Sequence, residues 1–310
     1  MGSRTMRILF VTSNRVGDAV LSTGLLDHLI RSHPAARITV VCGPVAEGVF
    51  ARMPNRERTI VLAKRRANLH WLTLWWEVVR LRWDLVVDIR GGALGFVVPT
   101  RRRAFFRRRP GPKVDELGAI LKLDPAPLPV AWTGAEDRAR AAALLPAHRP
   151  VIALGPTAHW PPKTWPAERF AALYHALASG PLPGAIPAVF GGPGAAERGM
   201  ATPLLAALPG AIDLCGMLSL PEVAACFERS AIFIGNDSGL MHLAAATTIP
   251  TLGLFGPTSV SVYAPAGPRA RVAVSPTGRM TDLGVDAAFE AASALVCPEV
   301  ASAKAEPYPA

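Results

Sequence analysis

Residues 235–258 read GNDSGLMHLAAATTIPTLGLFGPT. The preceding SAIFIG is an apolar run of strand length, Asp237-Ser238-Gly239 is turn chemistry, LMHLAAA has the make-up of a buried helix, and PTLGLF is a second strand-length run. Strand, tight turn, helix and strand form the repeating unit of a parallel α/β sheet, and the turn at the strand's carboxyl end is where such sheets hold ligands. The first amides of a helix have no intrahelical acceptor and carry partial positive charge. Ser238 and Gly239 can therefore receive a diphosphate, and Asp237 can bond sugar hydroxyls. Taken alone, Asp237 reads more simply as an N-cap and His242 as a structural helix histidine.

Outward from this unit the alternation continues. MRILFVT (6–12), RITVVCG (37–43), RTIVLA (58–63) and DLVVDIRG (84–91) are strand-like, and a helix is predicted from Gly17 to Pro34 and another over LHWLTLWWEVVRLRW (69–83). Residues 99–113, PTRRRAFFRRRPGPK, read instead as a basic segment broken by prolines. Alternation restarts at PVIALG (150–155) and runs through the loop HWPPKTWP, a helix near ERFAALYHAL, AIPAVFGG, a helix near ERGMATPLLAAL, AIDLCG and LPEVAACFERS. The expected architecture is α/β: two Rossmann-like domains, 1–148 and 149–310, with parallel sheets facing across a cleft. The last helix, about 284–297, is expected to pack back on the first domain.

The formal charge of +10 is uneven: through Lys113 the chain holds 21 Lys and Arg against 7 Asp and Glu, and beyond it 12 against 16. An anionic partner approaching the first half is expected. Cys42, Cys215, Cys226 and Cys297 form no C-x-x-C pair and read as reduced core thiols, with neither metal nor disulfide. No apolar run approaches the roughly 20 residues of a membrane span, so a cytoplasmic protein is expected.

Other residues could carry chemistry. The loop GPTAHWPPKTWP offers Thr157, His159 and Lys163, and a lysine in a proline-stiffened loop above a strand end can neutralise a departing diphosphate. Equally, Lys163 is a solvated lysine beside core tryptophans. FGGPGAAERG is a glycine-rich turn that can bring Glu197 towards a nucleotide, and Met217 and Leu218 can wall a base, although such residues are mostly ordinary turn and core. Gly17-Asp18 stands at a strand-to-helix junction, where a carboxylate can take a proton from an attacking hydroxyl or simply cap the helix. Trp71 and Trp75 share a helix face and read as core, whereas Trp76 suits either core or a membrane interface.

MRILFVTSNRVGDAVLSTGLLDHLI, HWPPKTWPAERFAAL, FGGPG, LCGMLSLPEVAACFERSAIFIGNDSGLMHLAAA and PTLGLFGPT, taken in this order, resemble glycosyltransferase family 9, the ADP-heptose:lipopolysaccharide heptosyltransferases. LGVDAAFEAASALV looks like that family's C-terminal helix, and residues 64–148 match loosely. The resemblance implies a GT-B fold whose second domain holds a nucleotide sugar, ADP-heptose foremost, and whose first receives a phosphorylated lipid A/core oligosaccharide acceptor. It implies inverting transfer without metal or cofactor, with Asp18 as base and Lys163 on the diphosphate. Asp237 would then contact the sugar, Ser238 and Gly239 the phosphate, and His242 would support the site. Ala158 and Ala195 depart from the family's usual hydroxyl and Glu, the nearest carboxylate being Glu197.

Arg101, Arg102, Arg103, Arg107, Arg108 and Arg109, with Gly17, fall on the acceptor side of this scheme. Guanidinium groups suit the acceptor's phosphates and carboxylates, and Phe105 and Phe106 between them suit peripheral contact with the inner membrane face. A solvated basic loop is the plainer alternative. Competing functions are transfer of another sugar to another surface polysaccharide, donor binding without catalysis, and a basic nucleic-acid-binding protein. The last is disfavoured because no RNP-like interleaving or helix-turn-helix occurs, so no nucleic acid is expected.

Overall fold

Apolar runs such as RILFV and IFIGN have no polar side to offer water, so they form strands covered on both faces. The computed structural model, which describes residues 5–63, 69–92 and 94–297, arranges such strands in two parallel sheets, one in each of two units, Met1–Gly134 and Ala135–Ala310.

The first unit runs β1 (Arg7–Val11), α1 (Val16–Leu21), α2 (Thr23–Ser32), β2 (Arg37–Cys42), β3 (Arg56–Val61), α3 (Leu69–Val78), β4 (Trp83–Asp88), α4 (Leu94–Val97), β5 (Thr100–Phe105) and α5 (Lys113–Gly118). Its strand order is β3-β2-β1-β4-β5, so the winding direction reverses between β1 and β4. Leu9, Val11, Val86, Leu74, Val78 and Trp83 form the core under α3 and α4, and Trp71 and Trp75 pack against it as expected.

Two local expectations are corrected here. The helix expected from Gly17 to Pro34 is two helices broken at Ser22. Ser22 Oγ donates to Ala19 O at 2.7 Å and meets Thr12 Oγ1 at 2.9 Å, while Thr23 Oγ1 donates to Val20 O. Hydroxyls bonded to their own backbone compete with helical continuity. The arginine segment is no loop in its first half, because Arg101–Arg103 lie in β5, which pairs with β4 in the register Leu85↔Arg102 and Val86↔Arg103. β5 ends the sheet. Charged side chains on an edge strand discourage further strand pairing, and the mainly exposed β3 (RERTIV) closes the other edge in the same way.

The second unit runs α6 (Ala135–Leu144), β6 (Val151–Gly155), α7 (Ala167–Ser179), β7 (Ile186–Val189), α8 (Ala195–Ala207), β8 (Ile212–Asp213), α9 (Leu220–Glu228), β9 (Ile232–Asn236), α10 (Gly239–Ala246), β10 (Thr251–Phe255), α11 (Val260–Tyr263), β11 (Ala270–Val274) and α12 (Val285–Val296). Its order is β11-β10-β9-β6-β7-β8, reversing between β6 and β9. The unit begins earlier than the expected boundary at 149 because α6 packs on α9. The terminal helix α12 lies on α7 and on β9–β11 of its own unit, where Ala288, Ala292 and Leu295 join the core of Phe170, Leu173, Ile234 and Leu254.

Cys42, Cys215 and Cys226 are buried, with thiols pushed up to about 12 chiefly by burial, and so are inert near neutrality; Cys297 is partly exposed. No described helix is long and apolar enough to cross a membrane.

Candidate functional site

β6 and β9 lie side by side at the reversal point of the second sheet, in the register Gly155↔Gly235. The loops that follow them therefore leave the same edge together, where open parallel sheets bind ligands. The first loop carries Pro161–Lys163 as a tight 3-10 turn, closed by Lys163 N–H to Trp160 O at 3.0 Å. The second is Asp237-Ser238. Across them Lys163 Nζ donates to Asp237 Oδ2 at 2.7 Å, with the carboxylate side chain 7% exposed and the lysine 23%. His242, buried one turn into α10, sets Nε2 4.0 Å from Asp237 Oδ1.

Asn236, missed by sequence reasoning, holds this arrangement. Its side chain is fully buried at the last position of β9; Oδ1 accepts from Trp165 N–H at 3.0 Å and Nδ2 donates to Pro156 O at 2.8 Å. One amide thus fastens both ends of the lysine loop to the strand that carries Asp237. Trp165 is core, donating from Nε1 to Leu283 O, whereas Trp160 at the loop tip is exposed.

Ser238 stands before α10 in extended conformation, and its side chain does not cap the helix. Its Oγ is buried with no hydrogen-bond partner among the described residues. An unfilled polar atom of this kind costs about 1–3 kcal/mol, and here it adjoins a helix N-terminus beginning at Gly239. The combination suits an anion.

The neighbouring strand ends add a second cluster. Thr157 is buried next to Gly191, where a Cβ would lie 3.2 Å from the threonine methyl. Gly216 N–H donates to Gly191 O at 3.0 Å, which joins the glycine-rich turn to the turn bearing exposed Met217 and half-buried Leu218. Gly194 adopts φ +103°, a conformation that favours glycine, and leads into α8. Glu197 folds back so that Oε2 accepts from Gly192 N–H at 3.1 Å, fixing the turn with its carboxylate. His159 is exposed on the lysine loop.

In the first unit, Gly17 and Asp18 lie in the first turn of α1, at the reversal point between β1 and β4. Ser13 Oγ donates to Asp18 Oδ2 at 3.2 Å, and the next residue, Asn14, accepts from Arg90 Nη1 at 3.2 Å. Asp88, at the end of β4, is a second carboxylate that sequence reasoning missed. It is fully buried, accepts from the amides of Arg90 at 2.8 Å and Gly92 at 3.1 Å, and burial holds its carboxyl above the usual range. Its signal was a carboxylate ending an apolar run before Arg-Gly-Gly.

The six arginines do not form one cluster. Arg101 pairs with Asp84 at 3.5 Å, Arg103 Nε donates to Gly95 O at 2.6 Å, and Arg102 projects from the other face of β5. Arg107, Arg108 and Arg109 follow in exposed irregular chain, anchored by Arg109 N–H to Glu116 Oε1 at 3.1 Å.

Two outcomes follow from these buried groups. Asn236→Ala leaves a buried amide and a buried carbonyl without partners, so chemical denaturation should show a loss of about 2 kcal/mol or more. For Asp88, the folded carboxyl is raised, so between the unfolded value near ~4 and its own folded value the native state holds the extra proton and stability falls as pH rises. Asp88→Asn removes that decline. Whatever its absolute stability, the variant should gain on the wild type as pH rises from about 4 towards neutrality; a pH-independent difference would contradict the assignment.

The model of glycosyltransferase family 9 (heptosyltransferase) matches residues 122–292, which contain the Lys163–Asp237 site but not Asp18. Over the chain as a whole, lipooligosaccharide heptosyltransferase 2 of Haemophilus influenzae is 25% identical, covering 86% of this chain and 88% of the relative. Among solved structures, a family 9 glycosyl transferase from Veillonella parvula superposes with TM-score 0.83 at 21% identity, covering 96% and 99% of the two chains. The E. coli ADP-heptose lps heptosyltransferase II gives 0.79 at 21%, covering 95% and 100%. The match across more than half of the sequence, on a doubly parallel fold shared with these neighbours, makes this chain a member of glycosyltransferase family 9 and a glycosyltransferase.

Proposed function

We propose that this glycosyltransferase moves a heptose from ADP-heptose to a lipopolysaccharide core acceptor, by an inverting displacement that needs no metal. The observation that carries the reading is the Lys163–Asp237 pair set beside the uncapped start of α10. The donor and acceptor are those named for the E. coli and Haemophilus proteins.

In this reading the donor diphosphate lies on the amides of Ser238 and Gly239, and Lys163 neutralises it. Asp237 bonds the sugar hydroxyls while His242 backs it. Thr157, His159, Met217, Leu218 and the Glu197-braced turn face the nucleotide. An acceptor hydroxyl attacks the anomeric carbon from the face opposite the diphosphate, Asp18 takes its proton, and the carbon–oxygen bond pair leaves on ADP. Configuration inverts because a single displacement occurs. A lysine and helix amides supply positive charge where the leaving group develops negative charge, and this is the task a divalent cation would otherwise perform. Arg102, Arg107 and Arg108 are exposed, and their side chains hold no ion pair among the described residues, so they can meet acceptor phosphates and carboxylates near the inner face of the cytoplasmic membrane.

Transfer assays and calorimetry in the presence of a chelator test the reading together. ADP should bind, and ADP-heptose should be consumed with a heptose-free lipopolysaccharide acceptor. Asp18→Asn should lower kcat by about 10²–10⁴-fold while leaving ADP affinity nearly unchanged. Undiminished turnover would remove Asp18 from the base role, and binding of a uridine or guanosine diphosphate in preference to ADP would reassign the donor.

A further inference from the structure

Helices α3 and α4 cover one face of the first sheet, and their outward sides are apolar. Leu69, Leu72 and Trp76 recur at helical spacing along α3, each 54% exposed, and Phe96 and Val97 of α4 are 67% and 54% exposed. Trp75 Nε1 donates to Val97 O at 2.9 Å, which fastens the two helices together and makes these side chains parts of one surface. Phe105 of β5 extends it, stacked on Phe96 with ring centres 4.5 Å apart. A soluble surface rarely leaves so many large side chains together without a partner.

The rim is cationic. The Arg80 guanidinium lies over the Trp76 ring at 5.9 Å, and Arg103 Nε donates to the carbonyl of Gly95, the residue before Phe96, at 2.6 Å. The carboxylates nearby are already engaged: Glu77, which lines a shallow recess with Leu72, Thr73, Trp76 and Arg80, faces Arg58 at 3.8 Å, and Asp84 faces Arg101 at 3.5 Å. An apolar centre rimmed by Arg80 and Arg103, neither of them ion-paired among the described residues, decides between occupants. A second copy of the chain packed face to face would set arginine against arginine, whereas an anionic bilayer accepts the aromatic and leucine side chains at head-group depth and attracts the rim.

We propose that the α3–α4 face is a docking surface for a lipid bilayer carrying anionic head groups. It gives the membrane contact of the transfer reading a location, and it rests on that reading only for its setting, since the test needs neither donor nor acceptor. The full chain is sedimented with vesicles of phosphatidylcholine alone or mixed with phosphatidylglycerol. The wild type should bind the mixed vesicles, more weakly as salt is raised. The combined variant Leu72→Ser, Trp76→Ser, Phe96→Ser should lose about tenfold or more in partitioning, while Arg80→Gln should reduce both binding and its salt dependence. Unchanged circular dichroism and an unchanged cooperative thermal transition establish that the variants are folded. Equal partitioning of variant and wild type would overturn the proposal, as would a wild type that binds neither vesicle or that forms a dimer abolished by the apolar substitutions. Vesicle binding without transfer from ADP-heptose would sustain this surface and remove the proposed donor and acceptor instead.

Discussion

Lys163 and Asp237 are 74 residues apart in the chain, and their ammonium and carboxylate meet at 2.7 Å in a place from which water is largely excluded. Taking opposite charges out of water is costly, and a mutual contact returns that cost only with good geometry and further bonds. The fold supplies the geometry. β6 and β9 are neighbours because the sheet's winding reverses between them, and Asn236 bonds both ends of the lysine loop. Gly155 and Gly235 pair across the two strands, and a Cβ on either would lie under 3 Å from the Phe233 ring. Small residues there are a packing requirement, and they keep the two strand ends in close register.

The two units use one topology for opposite electrostatic ends. At its reversal point the first unit presents carboxylates, Asp18 on α1 and Asp88 at the end of β4. The second presents a lysine, a helix N-terminus and a buried serine hydroxyl without a hydrogen-bond partner among the described residues. In the proposed transfer these groups would serve as the proton acceptor and the anion cradle that displacement of a diphosphate by a hydroxyl requires. Much of the first unit's basic excess lies on its edge strands, in Arg56, Arg58 and Arg101–Arg103, and in Arg107–Arg109 after β5, while Arg15 and Arg90 stand at the reversal point beside the carboxylates.

What could be read from the sequence depended on whether the signal was local. Interior strands were legible because burial on both faces leaves unbroken apolar runs, and the Asp-Ser-Gly turn before α10 was legible because its turn and helix are contiguous. The edge strands β5 and β11 were not, since an edge has no need of apolar runs and TRRRAF carries three arginines. The break at Ser22 rests on hydroxyl-to-backbone bonds that hydrophobic spacing does not register. Asn236 was illegible as a clamp because its partners lie 71 and 80 residues away. The position of α12 followed the same logic: its alanine-lined face fits the second unit's core, a fit that amphipathic spacing alone does not direct to one sheet.

A crystal structure of the protein with ADP tests the central claim most directly. The account expects the diphosphate at the start of α10, its oxygens about 3 Å from the amides of Ser238 and Gly239 and from Lys163 Nζ. A diphosphate bound elsewhere, with Lys163 still engaged only by Asp237 and the Ser238 hydroxyl still without a partner, would contradict it.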